Sequence, residues 1–157
     1  ASIGLYVLFL PIYFAFAFLI NYIFTIFEIH PEPQAIIEQI RLETNPVYRI
    51  LAFLSICIMA PVSEEILFRG ILQRYLDQKW GYAGIVLSAW IFAIIHFNLS
   101  ALFPIFALGL ILGFAFRKTG SLLVPILIHC AHNSLVFLLT LLKGKIESYD
   151  QFDTLIF

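Results

Sequence analysis

Charge is scarce in this chain. Only 12% of its 157 residues are charged, against about 25% in an ordinary soluble domain. Nine Lys and Arg stand against ten Asp and Glu, for a net charge of −1. That balance excludes the basic surface a nucleic-acid partner needs. Cysteine is nearly absent. Cys57 and Cys130 both fall inside apolar runs and read as small buried hydrophobes, which excludes a disulfide framework or a zinc ribbon. There is no internal repeat and no low-complexity segment. The first apolar run has no basic segment before it and is too long for a signal-peptide core. Residue 1 is Ala rather than Met, so the expectation is a trimmed chain with further spans upstream.

What the chain does have is apolar length. It is 62% hydrophobic, with a mean hydropathy of +0.98. Uncharged runs of this kind belong in lipid, where about 20 residues span the hydrocarbon. The sequence predicts an all-α, polytopic membrane bundle of about five spans forming one transmembrane domain over residues 1–157. The runs are Ile3 to Phe27, Val47 to Tyr75 with an interruption at Pro61, Tyr82 to Phe97, Ala101 to Phe116, and Leu122 to Leu142. Between the first two lies an acidic stretch, Glu28 to Pro46, read as an external loop or a surface helix. Arg117 to Gly120 is expected to be a tight turn, and a short polar tail follows the fifth run. Arg74, Lys79, Arg117 and Lys118 share one side, which the positive-inside rule makes cytoplasmic. The composition places the protein as an integral, multi-pass component of a membrane, with lipid as its constant neighbour.

Inside these runs sit polar residues that lipid does not tolerate without a reason. The second run contains Pro61-Val-Ser-Glu64-Glu65-Ile-Leu-Phe-Arg69. Glu65 and Arg69 are i,i+4 on a helix, in the favourable orientation for an ion pair. Glu64 lies about 100° around the helix, off the Arg69 face. Pro61 lacks a donor and disfavours helix at Ala60, so the helix is expected to restart near Ser63. The run from Gln73 to Gly81 reads as the water boundary. The third run offers Phe92 and His96, and a lone histidine of this kind more often packs than reacts. The fifth offers His129 and Asn133 on one face, with His132 on another and suited to packing. Nothing marks Cys130 as a nucleophile. At about 1.5 Å per residue, Glu64, His96 and His129 fall roughly 18, 20 and 12 Å from the cytoplasmic side. Polar groups at comparable depth on three helices suggest a wet, membrane-embedded cavity.

These residues resemble the three motifs of the CAAX-processing and bacteriocin-processing (CPBP, or Abi) membrane proteases, over about residues 47–142. Glu64, Glu65 and Arg69 match Glu-Glu-x-x-x-Arg. Phe92 and His96 match Phe-x-x-x-His, and His129 and Asn133 match His-x-x-x-Asn. The resemblance implies an intramembrane endopeptidase acting on membrane-associated or lipidated peptides. It further implies that Glu64 and His96 activate a water while His129 and Asn133 form the oxyanion site, without a cofactor. Glu65, Arg69 and Phe92 would support those groups. The physical chemistry agrees, since a carboxylate near an imidazole is a plausible general base and side-chain N–H donors stabilise a tetrahedral oxyanion. Three rival readings stay open. Glu64, His96 and His129 are acceptable zinc ligands. A non-catalytic immunity protein or scaffold would share the motifs. A proton-coupled transporter also uses Glu and His, although it often shows two broken helices where this chain shows one.

Overall fold

A computed structural model describes residues 10–11, 14–15, 18–19, 22–28, 35–99 and 101–156; for residues 35–37 and 145–156 it describes only the backbone. About half of the predicted span Ile3 to Phe27 therefore lies outside the described residues. All regular structure among the described residues is helical.

The acidic stretch contains a short helix, α1, Ala35–Leu42, whose Glu38 and Arg41 form an ion pair. Helix α2, Pro46–Trp80, is continuous over 35 residues. It starts sharply because the Asn45 side chain accepts from the Val47 N–H at 2.9 Å and Pro46 opens the first turn, where no donor is needed. The expected break at Pro61 does not occur. Instead α2 widens into π-helical turns at Ser55–Met59 and Ile66–Gln73, with α-helix over Ala60–Glu65 between them. Shifting to a longer hydrogen-bond register absorbs the missing proline donor without ending the helix.

Gly81, at φ +56°, turns the chain into α3, Tyr82–Ile94. This helix stops short of the predicted Phe97, because the chain turns at Ile95 and His96 and Phe97 adopts φ +48°. Helix α4 is Leu102–Thr119. Arg117 to Thr119 are its last turn rather than a loop, and Gly120, at φ +67°, supplies the left-handed cap. Helix α5 is Leu123–Ile156, so the expected polar tail continues the helix. By length and apolarity α2, α4 and the Leu123–Gly144 part of α5 can each cross a membrane, and α3 is a shorter apolar helix. Side chains such as Ile50, Leu51, Met59, Leu138 and Leu142 are exposed, as befits helices that face lipid. The protein is an integral, multi-pass membrane protein.

The described chain forms two compact units: the described part of Ala1–Glu32 with Val62–Ile128, and Pro33–Pro61 with His129–Phe157. In the first, α3 packs against α4 and against the C-terminal part of α2. Small residues bring the backbones together there. A Cβ on Gly113 would meet Ile85 Cγ2 at 2.7 Å, and one on Gly109 would meet Ala89 Cα at 3.1 Å. Leu108, Leu112, Ala115 and Ile128 form its apolar cluster. In the second unit Ile40, Cys57 and Phe137 are buried together, with the Phe53 and Phe137 rings edge to face at 5.6 Å.

Candidate functional site

Glu65 and Arg69 are both fully buried, and the predicted ion pair is present, with Arg69 Nη1 donating to Glu65 Oε1 at 2.9 Å. The guanidinium has further work. Its Nη2 donates to the Gly109 carbonyl at 3.0 Å, and its central carbon lies 4.6 Å from the Phe92 ring centroid. Phe68 meets Phe92 edge to face at 5.1 Å. Phe92 in turn meets the His96 ring edge to face at 4.7 Å. Arg69 is therefore held by a carboxylate, a backbone carbonyl and an aromatic face, and that same aromatic face supports the histidine.

His96 lies in the turn that follows α3, not inside a helix as expected, and is half-buried. Its Nδ1 is 2.6 Å from the Phe92 carbonyl. A carbonyl only accepts, so Nδ1 carries the hydrogen, and in the neutral ring Nε2 holds the lone pair. Glu64 is half-buried and follows Ser63 in the α-helical stretch between the two π turns.

In the second unit, His129 and His132 are buried and Asn133 is half-buried, one turn beyond His129 on α5. Asn133 Nδ2 donates to the Ile56 carbonyl at 2.9 Å. Neither Cys57 nor Cys130 is in a disulfide. An open cavity of about 750 Å³ also lies in this unit. Glu38, Glu43, Tyr48, Arg49 and Phe137 are among its lining residues, and none of the residues named as catalytic is.

The structure thus joins Glu65, Arg69, Phe92 and His96 into one connected chain of contacts. It also shows residues that the sequence reading overlooked. Gln73, at the predicted water boundary, is fully buried and donates through Nε2 to the Gly113 carbonyl at 3.0 Å. Arg69 and Gln73 are i,i+4 on α2, and the carbonyls they reach are i,i+4 on α4. A signal was present: the Gly109-x-x-x-Gly113 spacing marks close helix approach in membranes, and Gln73 continues the Glu65–Arg69 face by one turn.

Comparison with known proteins places these motifs. A family model described as type II CAAX prenyl endopeptidase Rce1-like matches residues 46–135, a stretch that contains all three motifs. An Escherichia coli protein named "Uncharacterized 24.3 kDa protein" is 39% identical over 88 residues, which cover 51% of this chain and 40% of that protein. A Bacillus subtilis (strain 168) protein named "Putative membrane peptidase YdiL" is 35% identical over 86 residues, 54% of this chain and 35% of that protein. The matched segment therefore spans well under half the length of either relative. No solved structure matches the chain. With more than half of its length matched by the family model, and with the motifs in order, the chain belongs to the Rce1-like family of type II CAAX prenyl endopeptidases.

Proposed function

We propose that this chain carries the catalytic residues of an intramembrane endopeptidase that hydrolyses membrane-associated or lipidated peptides, CAAX-type substrates among them, with a glutamate-activated water. The observation that supports this most is the fixed histidine. The Phe92 carbonyl sets the His96 tautomer, and the buried Glu65–Arg69 pair supports the Phe92 ring that His96 packs on. Such support is what a reacting group needs to stay in register.

In this reading the Glu64 carboxylate accepts a proton from water, and His96 Nε2 orients that water. The hydroxide adds to the peptide carbonyl carbon, and the carbonyl oxygen takes the negative charge. His129 and Asn133, the third motif, donate hydrogen bonds to that oxyanion. The carbon–nitrogen bond then breaks, and the proton held by Glu64 passes to the leaving amine. No metal enters the scheme.

The test is cleavage of a quenched, prenylated peptide by the purified protein in liposomes. Glu64→Gln keeps the shape and removes the base, so the rate should fall about 10²–10⁴-fold. A zinc chelator should leave the wild-type rate unchanged. Full activity in Glu64→Gln refutes the assignment. Loss of activity with chelator, restored by zinc, replaces the glutamate mechanism with a metal one. A wild type that cleaves no peptide, yet keeps its cellular effect in Glu64→Gln, identifies a non-catalytic partner protein.

A further inference from the structure

Pro61 costs α2 one backbone donor, and the structure shows where the loss falls. In the π turn before it, the Ala60 N–H reaches back five residues to the Ser55 carbonyl. The next donor in that register belongs to residue 61, and its acceptor is the Ile56 carbonyl. Residue 61 is proline and has no N–H. A backbone carbonyl left without a donor is costly at membrane depth, where water does not compensate. The Ile56 carbonyl is nevertheless satisfied, because Asn133 Nδ2 on α5 donates to it at 2.9 Å. The contact sits beside the buried Cys57 and Phe137.

We propose that Asn133 is a positioning residue that replaces the donor missing at Pro61, and that this bond fixes its own amide. Nδ2 carries two hydrogens. Ile56 takes one, so the amide plane is set and the second hydrogen points in a fixed direction. The part of this inference that concerns the second hydrogen rests on the oxyanion role proposed above; the part that concerns Pro61 does not. It also gives a physical reason for an amide at position 133. Asp would present only acceptors to a carbonyl, and Leu would present nothing.

A double-variant cycle tests it. Pro61→Ala restores a helical donor to the Ile56 carbonyl in either register. Residue 61 serves it if the π turn persists, and Ala60 serves it if the turn relaxes to ordinary α-helix. Asn133→Leu alone should then lower the melting temperature by about 2–4 °C, and the loss should shrink in the Pro61→Ala background. If Asn133→Leu alone does not fold, recovery of folding in the double variant carries the same meaning. Equal losses in both backgrounds, or failure of both to fold, overturn the proposal.

A second readout follows the carbonyl itself. Ile56-Cys57 is the one Ile-Cys pair in the sequence, so ¹³C-carbonyl isoleucine with ¹⁵N-cysteine labels that peptide alone. Its carbonyl resonance should move upfield in Asn133→Leu and return in the double variant. An unmoved resonance overturns the clamp. Turnover separates the two readings. With stability recovered in the double variant, kcat should stay down on the order of 10²–10³-fold if Asn133 also serves the oxyanion. Recovered turnover would retain the clamp and remove Asn133 from the proposed chemistry.

Discussion

Arg69 shows how much one buried charge can hold. It is fully buried and bonds Glu65, the Gly109 carbonyl and the Phe92 ring face. Removing one member of a buried pair strands the other, at about 3–5 kcal/mol. Arg69→Ala should therefore unfold at distinctly lower temperature in detergent. The pair Glu65→Gln with Arg69→Met should lose less than Arg69→Ala, since no charge is stranded. Thermal unfolding of the variants checks both, and an unchanged Arg69→Ala profile contradicts the buried pair. For His96 the expected outcome is spectroscopic: ¹⁵N resonances of the neutral ring should report hydrogen on Nδ1, whereas hydrogen on Nε2 would break the link to Phe92. The Glu65–Arg69 pair was legible in the sequence because i,i+4 spacing alone makes it. Gln73 was not, because a polar residue near the end of an apolar run reads the same whether it meets water or a neighbouring helix carbonyl.

At the scale of the element, proline and glycine told different amounts. Pro61 announces a missing donor, but not whether the helix stops or changes register. The register change wins here, since π turns keep α2 continuous over Pro46–Trp80. The end of α3 was also illegible, because nothing in an apolar run marks a turn at Ile95. The glycines of α4 separate by what surrounds them. A Cβ on Gly113 would lie 2.7 Å from Ile85 and 2.9 Å from Gln73 Oε1, whereas open space surrounds Gly120. Gly113→Ala should cost about 1–3 kcal/mol by overpacking. Gly120 is needed only for its positive φ, so Gly120→Asn should be nearly silent, Asn being the other residue that adopts this conformation readily. Denaturation in matched detergent ranks the two, and equal losses contradict the close approach of α4 to α3.

For the whole molecule, the fold class was legible because run length and charge depletion alone select membrane helices. The helix ends were shifted by a few residues, and the polar tail proved helical. Within the first unit, Arg117 lies 3.3 Å from Asp77, which ties the C-terminal end of α4 to that of α2. The Gly81 and Gly120 turns therefore share a side. Cysteines placed at Gln78 and Lys118 should react with an impermeant thiol reagent from the same face of sealed vesicles. The positive-inside rule, applied to the basic residues around them, predicts that this face is the cytoplasmic one. Labelling from opposite faces contradicts the arrangement. The three motifs were legible as a set of residue types; the aromatic link from Arg69 to His96 through Phe92 required coordinates.

The brevity of α3 has a further consequence. Its 13 residues extend about 20 Å, against a hydrocarbon layer of about 30 Å. The chain then leaves helical geometry, and non-helical backbone is tolerated at such depth only inside protein or against a water-filled space. Hydrolysis has two reactants, and in a bilayer the scarce one is water rather than peptide. On the proposed chemistry, a helix that ends early beside His96 is how the aqueous phase delivers its share of the reaction.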